Sequence, residues 1–258
     1  MKFTIIITSF NKEKYLKDCI ESCLNQSNKN YEVILCDNYS EDNSDIIFEK
    51  FKNSIQIIKK KKISSSGPVN QMDLIKIALN NSSGEYICLL DGDDYFQKDK
   101  IKTLEKYFNK NKNLNIIFDI PEIKKKNGLQ KLILKKKYQK NIWPTIINTS
   151  SITIKKEFLV QFFKDHLYKN FDLLEIDFRL NAFSRCVDKN FLIIDEKLTV
   201  YRYVEDSIIN SFKKFSKKWW VKRFQAHEFM DYIFTQNNLS YRNYFDRFCT
   251  KIFSNILK

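Results

Sequence analysis

The stretch Ser83-Gly84-Glu85-Tyr86-Ile87-Cys88-Leu89-Leu90-Asp91-Gly92-Asp93-Asp94 decides how this chain is read. Tyr86 to Leu90 is an unbroken apolar run of strand length, the pattern of a strand covered on both faces. It ends in three acids within four residues. Like charges repel, and no base in the stretch compensates them, so the cluster calls for a cation. Helix capping in a solvated turn would explain Asp93 or Asp94 singly, but not three acids together.

Around this stretch the first half of the chain alternates strand and helix. Residues 3–8, 31–36, 54–58 and 85–90 have strand patterns, and residues 13–26, 41–51, 69–79 and 98–110 have helical ones. That alternation predicts a doubly wound α/β fold with a parallel sheet. Ligands of such sheets sit beyond the carboxyl ends of the strands. Three of those ends are polar: Thr8-Ser9-Phe10-Asn11, Asp37-Asn38 and Asp91 to Asp94. Three of the four glycines, Gly67, Gly84 and Gly92, fall in this half. Gly84 is expected to end a helix in the left-handed conformation, and Gly92 to let the acidic turn approach a ligand.

Past Phe118 the segments shorten. Strands or hairpins are expected at 129–134, 146–148 and 151–154, with Pro121, Gly128 and Pro144 as punctuation. Helices are expected at 155–164 and 173–183, a strand pair at 191–194 and 198–201, and helices at 216–234 and 240–257. No internal repeat is visible. The expected division is a domain over 1–210, with a nucleotide-binding half (1–119) and an acceptor-side half (120–210), followed by a helical extension over 211–258.

Composition narrows the function class. With 258 residues and 43% apolar content the chain can bury a sizeable core. No stretch reaches the roughly 20 apolar residues of a membrane span, and the N-terminus turns polar at Thr8, too soon for a signal peptide, so the expected location is cytoplasmic. Cys19, Cys23, Cys36, Cys88, Cys186 and Cys249 are scattered without CxxC spacing and read as reduced core thiols rather than a zinc site. A net charge of +14 points to an anionic partner, against the plainer reading of a lysine-rich surface. Only two regions are denser than such a surface requires: Lys124 to Lys140, and Lys213 to Arg223.

The blocks Phe3-Thr-Ile-Ile-Ile-Thr-Ser-Phe-Asn11, Tyr31-Glu-Val-Ile-Leu-Cys-Asp-Asn-Tyr-Ser-Glu-Asp42 and Ser83 to Asp94, in this order and spacing, resemble glycosyltransferase family 2, the inverting sugar transferases of GT-A fold. The resemblance is strong over about residues 1–110 and weak beyond. It implies a nucleotide-sugar donor, usually UDP-linked, Mn²⁺ or Mg²⁺ as cofactor, and a hexosyl or N-acetylhexosaminyl transfer. By position, Thr8, Phe10 and Asn11 would lie along the nucleoside and Asp37 would bond the uracil. Asp91 would reach the ribose or the metal, with Gly92 beside the nucleotide. Asp93 would ligate the metal, and Asp94 would support it or serve as a second ligand. The chain departs from the family pattern at Ser9, at Asp37-Asn38-Tyr39-Ser40 in place of Asp-Asp-Gly-Ser, and at Ile75-Lys76 in place of an Arg-Asn pair. Hard cations suit these carboxylates and stabilise a departing diphosphate without proton transfer.

Inverting transfer also needs a general base. The resemblance implies an acidic pair opening a helix in the second half, here sought among Asp172, Glu175 and Asp177, with Asp172 expected at the helix N-terminus. The competing structural reading makes Glu175 and Arg179 a surface ion pair and Asp172 a cap. Further on, Trp219, Arg223 and His227 share one helical face. Arg223 could reach the pyrophosphate and His227 the metal; the alternatives are a packing helix with snorkelling lysines, or docking on an anionic membrane, suited to a lipid-linked acceptor. His166 beside Asp165 reads as structural. The expectation is a metal-dependent transferase building a bacterial surface polysaccharide on a glycan or lipid-linked acceptor. The contrasting class, a basic nucleic-acid-binding protein, lacks any recognition motif in the sequence, and the strand-end acids would repel phosphate, so no nucleic acid is expected as partner.

Overall fold

The computed structural model describes residues 1–125, 127–131, 148–164, 169–204, 213–241 and 243–256. The first half runs β1 (Phe3–Ser9), α1 (Glu13–Leu24), β2 (Tyr31–Asp37), α2 (Ser44–Phe51), β3 (Gln56–Lys59), α3 (Gly67–Asn81), β4 (Tyr86–Asp91), β5 (Tyr95–Phe96) and α4 (Lys100–Lys110). The second half contains β6 (Ile116–Asp119), β7 (Glu122–Lys125), β8 (Gly128–Lys131), a single 3₁₀ turn (Thr149–Ser151), β9 (Ile152–Lys155), α5 (Lys156–Lys164) and α6 (Ile176–Phe183). A π-turn (Ser184–Asp188), β10 (Phe191–Ile194), β11 (Thr199–Arg202), α7 (Lys217–Gln236) and α8 (Tyr244–Ile256) complete it.

A seven-stranded sheet has the order β10-β6-β9-β4-β1-β2-β3, and a four-stranded sheet the order β5-β11-β7-β8. In the large sheet only β9 runs antiparallel to its neighbours. The expected mostly parallel α/β sheet is present. Strand β1 lies at its centre and is buried along its whole length, because alternate residues feed two cores. Phe3, Ile5 and Ile7 pack with α1, α2 and α4, while Ile6 packs with α3, α5 and α6. Each fully buried aliphatic side chain there contributes about 1.5–3 kcal/mol, which is why a continuous apolar run stays in register.

The expectation for Gly84 is corrected. Gly84 has no left-handed φ, and α3 ends earlier, at Ser82. A Cβ at Gly84 would sit 2.6 Å from Phe3 C and Thr4 N, so glycine is needed for close approach to β1. A Cβ at Gly92 would meet Thr8 O at 3.2 Å, so that glycine lets the acidic turn pack on the end of β1.

The strands at 191–194 and 198–201 do not form a pair: β10 adds to β6 in the large sheet, whereas β11 joins β5 and β7 in the small one. Periodicity identified both strands but carries no information on partners. Because β6, β9 and β10 extend the sheet that begins with β1, the boundary near residue 119 falls inside one sheet. Helix α7 is docked through Ala226, Phe229, Met230 and Ile233 against Leu174, Ala182 and Cys186, so it shares a core with α6 and is no separate lobe. Five cysteines are buried free thiols, and Cys249 is half-buried. Most of the basic stretch 124–140, and His166, lie outside the described residues.

Candidate active site

Strand β4 delivers Asp91, and the turn behind it delivers Asp93 and Asp94, but the three carboxylates have different fates. Asp91 is half-buried and accepts hydrogen bonds from Thr8 Oγ1 (3.2 Å) and Gln71 Nε2 (2.5 Å). Burial, then the charge of Asp93, pushes its carboxyl up to about 7, against the opposing pull of Lys12, Thr8 and Gln71. Asp93 keeps partial exposure and pairs with Lys12. Burial works against the Lys12 charge, yet Asp93, Asp91 and Asp94 together raise its pKa.

Asp94 is sealed inside. Its Oδ2 accepts from Ser150 Oγ (2.6 Å) and Asn148 Nδ2 (3.3 Å), and its Oδ1 from the Arg202 backbone N–H (2.8 Å). The metal-ligand expectation for Asp94 is therefore corrected. It ties the acidic turn to β11 and to the 3₁₀ turn, whose Ser150 hydroxyl in turn accepts from Asp91 N (3.0 Å). Beneath, Lys100 is fully buried and donates to Asp119 Oδ2 (2.7 Å), Ser150 O (2.9 Å) and Thr199 Oγ1 (2.7 Å). Burial raises the Asp119 carboxyl even though Lys100 opposes it. Arg202 clamps the same turn from outside through Asp93 O (3.2 Å) and Asp18 (2.6 Å).

The helix bearing the sought base begins at Ile176, not at Asp172. Asp172 is exposed and accepts from Gln225 Nε2 (2.7 Å), which corrects its assignment to the helix N-terminus. Glu175 is the N-cap residue and is paired with Lys222 of α7. Asp177, in the first turn, is pushed up to about 7 by burial and then by Glu175, and it also senses Asp91. Asp177 thus carries a raised pKa and feels the charge of the acidic turn. Arg179 is buried rather than paired at the surface; it donates to Leu174 O (3.1 Å), Asn170 O (2.8 Å) and Phe171 O (2.6 Å), fixing the loop that leads into α6. Ser66, which caps α3 by accepting from Val69 N (3.2 Å), also donates to Asp172 O and links that loop to the first half.

On the β1–β2 side, Asn11 has φ 53° and joins two loops: its N–H donates to Ser40 Oγ (2.8 Å), and its side chain accepts from Glu41 N (2.8 Å). Phe10 lies under Lys62 Nζ, 3.3 Å from the ring centroid. Asp37 is fully buried, and Ser40 occupies both its oxygens (2.7 and 2.6 Å). It shapes the loop rather than facing a base, a correction to its expected contact with uracil. Thr8 likewise serves to orient Asp91.

Arg223 and His227 do not join this site. Arg223 pairs with Asp246 of α8 and lies over the Trp219 ring at 5.6 Å. His227 is buried between α7 and the chain beyond it, with Nδ1 2.8 Å from Tyr241 Oη and Nε2 3.2 Å from Asp246. Helical spacing correctly placed the three residues on one face, but that face packs against α8.

No sequence signal singles out several residues that surround the acidic turn. Burial raises the Tyr201 phenol, and so, in decreasing order, do the charges of Asp94, Asp93, Asp91 and Asp177. Lys12, Gln71, Ser150 and Lys222 are ordinary polar residues in sequence and acquire roles only through contacts between elements.

Among the described residues no cluster of three or more His, Cys, Asp or Glu side chains forms a metal cage. The site fits a different mode, in which one or two carboxylates, Asp91 and Asp93, hold a small hard cation whose other ligands are water and phosphate. Crowding that raises Asp91 is the strain such a cation would relieve.

This fold and this cleft define a GT-A-type transferase scaffold, and the model of glycosyl transferase family 2 matches residues 4–167, so the chain belongs to that family. It is 30% identical over 105 residues to the poly(ribitol-phosphate) beta-N-acetylglucosaminyltransferase TarS of Staphylococcus aureus, covering 40% of this chain and 18% of that protein. To the minor teichoic acid biosynthesis protein GgaA of Bacillus subtilis it is 39% identical over 120 residues, covering 44% of this chain and 26% of that protein. The matches therefore span about a fifth to a quarter of these relatives. The structure of S. aureus TarS 1–349 in complex with UDP-GlcNAc superimposes with a TM-score of 0.70 at 14% identity, covering 98% of this chain and 70% of that one. A mannosyltransferase from Pyrobaculum calidifontis in complex with GDP-Man and Mn²⁺ gives 0.61 at 12% identity, with 98% and 73% covered. Both likenesses concern the fold.

Proposed function

We propose that this chain transfers a sugar, with inversion, from a UDP-linked donor to a hydroxyl of a bacterial surface glycan or its lipid-linked precursor. The observation that carries the reading is the acidic turn at the carboxyl end of β4, where Asp91 accepts from Thr8 and Gln71 and Asp93 pairs with Lys12, with Asp177 near enough to feel the charge of Asp91. Asp177, held near neutrality, takes the acceptor hydroxyl proton. The acceptor oxygen then bonds to the sugar's anomeric carbon as the bond from that carbon to the diphosphate oxygen breaks, and the nucleoside diphosphate leaves with the electron pair. Asp91 and Asp93 would hold Mn²⁺ or Mg²⁺, which when bound neutralises charge on the leaving diphosphate. Lys12 lies at the same edge and is placed to meet a phosphate oxygen once Asp93 has another partner. Phe10 and the Asn11–Ser40 loop form the nucleoside side.

Relatives named for poly(ribitol-phosphate) support a phosphate-bearing polymer as acceptor and N-acetylglucosamine or glucose as the sugar. A net charge of +14 suits such an anionic polymer. No described helix is long and apolar enough to cross a membrane. The enzyme is proposed to work in the cytoplasm, at the inner face of the membrane. The test is release of nucleoside diphosphate from a panel of UDP- and GDP-sugars with Mn²⁺ or Mg²⁺ and with EDTA. Metal-dependent release from a UDP-sugar, lost in Asp93→Ala, is expected; no release from any donor contradicts the reading.

A further inference from the structure

Helix α8 is amphipathic with its polarity reversed. The side packed on α7 is polar: Asp246 accepts from Arg223 Nε (3.2 Å), Arg247 pairs with Glu228 (2.7 Å) and Asp231 (3.1 Å), and Thr250 and Ser254 are buried. The opposite side carries Phe245, Phe248, Ile252 and Ile256, which share one face at helical spacing. Phe245 is 82% exposed, Phe248 62% and Ile256 68%, with Tyr244 at 72% beside them. Ordinary soluble packing places these faces the other way round. A contiguous exposed apolar ridge of this kind marks a surface that meets something else.

The ridge continues into an aromatic cluster. Phe253 stacks on Trp220 (4.6 Å), Trp220 meets Trp219 (4.7 Å), and Phe215, 60% exposed, meets both tryptophans. Around this cluster Lys213, Lys214, Lys217 and Lys218 are exposed, and Lys251 is exposed on α8. No Asp or Glu occurs between residues 213 and 227, and the one acid of α8, Asp246, is turned inward to Arg223.

We infer that α8, with the start of α7, is a docking element for an anionic lipid surface. Charge complementarity selects this occupant. The aromatic and aliphatic ridge enters the boundary between headgroups and acyl chains, and the lysines at its edge meet acidic headgroups. A second copy of the chain would bring the same lysines to the same edge, so self-association is opposed where lipid binding is favoured. Thirteen residues of α8 are too few to span a bilayer, so the helix lies in the surface. Through α7 the element reaches the cleft, because Lys222 pairs with Glu175 beside Asp177. The inference does not depend on the chemistry proposed at Asp177.

The test is co-sedimentation of the full 258-residue chain with vesicles of neutral phosphatidylcholine, with and without phosphatidylglycerol. Binding is expected only with the anionic lipid and should weaken as salt rises. Phe245→Ser with Phe248→Ser should lower the vesicle partition coefficient by at least about tenfold. Glu at Lys213, Lys214, Lys217 and Lys218 should lower it by roughly fivefold or more per site at low salt. Far-UV circular dichroism and UDP-sugar hydrolysis without vesicles should be unchanged in both variants, since all these positions are exposed and outside the cleft. Absence of binding to either vesicle, or equal binding to both, overturns the proposal. So does a stable dimer on light scattering that the Phe245→Ser/Phe248→Ser variant converts to monomer.

Discussion

Replacing Asp177 by Asn should stabilise the protein while stopping turnover. Burial and Glu175 lift this carboxyl from an ordinary 3.8 to about 7. A shift of that size corresponds to a ceiling of ~4 kcal/mol of destabilisation once the group is ionised. The sign follows from linkage. A carboxyl with a raised folded pKa costs nothing below the unfolded value, and its cost grows as pH rises from 3.8 to about 7 and is full above that. Glu175, Lys222, Asp91 and Tyr201 face the group and share the adjustment, so about half the ceiling, ~2 kcal/mol, is expected to be recovered in the neutral variant. For a chain of this size that is a rise of roughly 4–8 °C in Tm near pH 8, shrinking toward pH 5. Turnover should fall by at least about 100-fold, the usual contribution of a general base. Thermal unfolding at the two pH values, with UDP release measured alongside, checks both halves. Wild-type turnover in the variant, or a stabilisation independent of pH, refutes the assignment of the half-buried Asp177 as the base.

Wild-type turnover itself should rise with pH through about 7 as Asp177 ionises, and a pH–rate profile without that limb would count against it. Lys100→Met leaves Asp119 buried without its partner and should cost about 3–5 kcal/mol, read from urea unfolding; a neutral effect would show that the network beneath the acidic turn is dispensable. Gly84→Ala forces a methyl to 2.6 Å from the β1 backbone and should cost at least ~1–3 kcal/mol, which a wild-type Tm would contradict. Asp94→Asn should keep the Mn²⁺ dependence of UDP binding, since Asp94 braces the turn rather than ligating; loss of metal dependence with an intact fold would restore it as a ligand.

Legibility of this molecule in its sequence divides at about residue 110. Strands β1, β2 and β4 are near-continuous apolar runs, and the polar residues at their ends, acidic on β2 and β4, mark the sheet edge where a ligand belongs. What lay beyond local reading was the direction of side chains. Asp93 and Asp94 are adjacent and chemically identical, yet one stays partly exposed and the other is sealed by Ser150 and Arg202, residues 56 and 108 positions away. In the second half, β10 and β11 were recognisable as strands but their partners were not, because pairing is set by tertiary packing. Tyr201 could not be selected because its role arises from the acids of β4 and its following turn and from Asp177 of α6, none of them near it in sequence. Arg223 and His227 show the converse error: correct helical spacing does not say which neighbour the face meets. The reversed amphipathicity of α8 could only emerge once its buried side was known.

The proposed transfer stands on a nucleotide-sugar site completed by a divalent cation at Asp91 and Asp93. Isothermal titration of UDP into the protein with Mn²⁺, with EDTA, and into Asp93→Ala with Mn²⁺ tests it most directly. Binding with Mn²⁺ that weakens by tenfold or more, ~1.4 kcal/mol, in both other titrations is predicted. UDP affinity unchanged by EDTA and by Asp93→Ala would contradict the account.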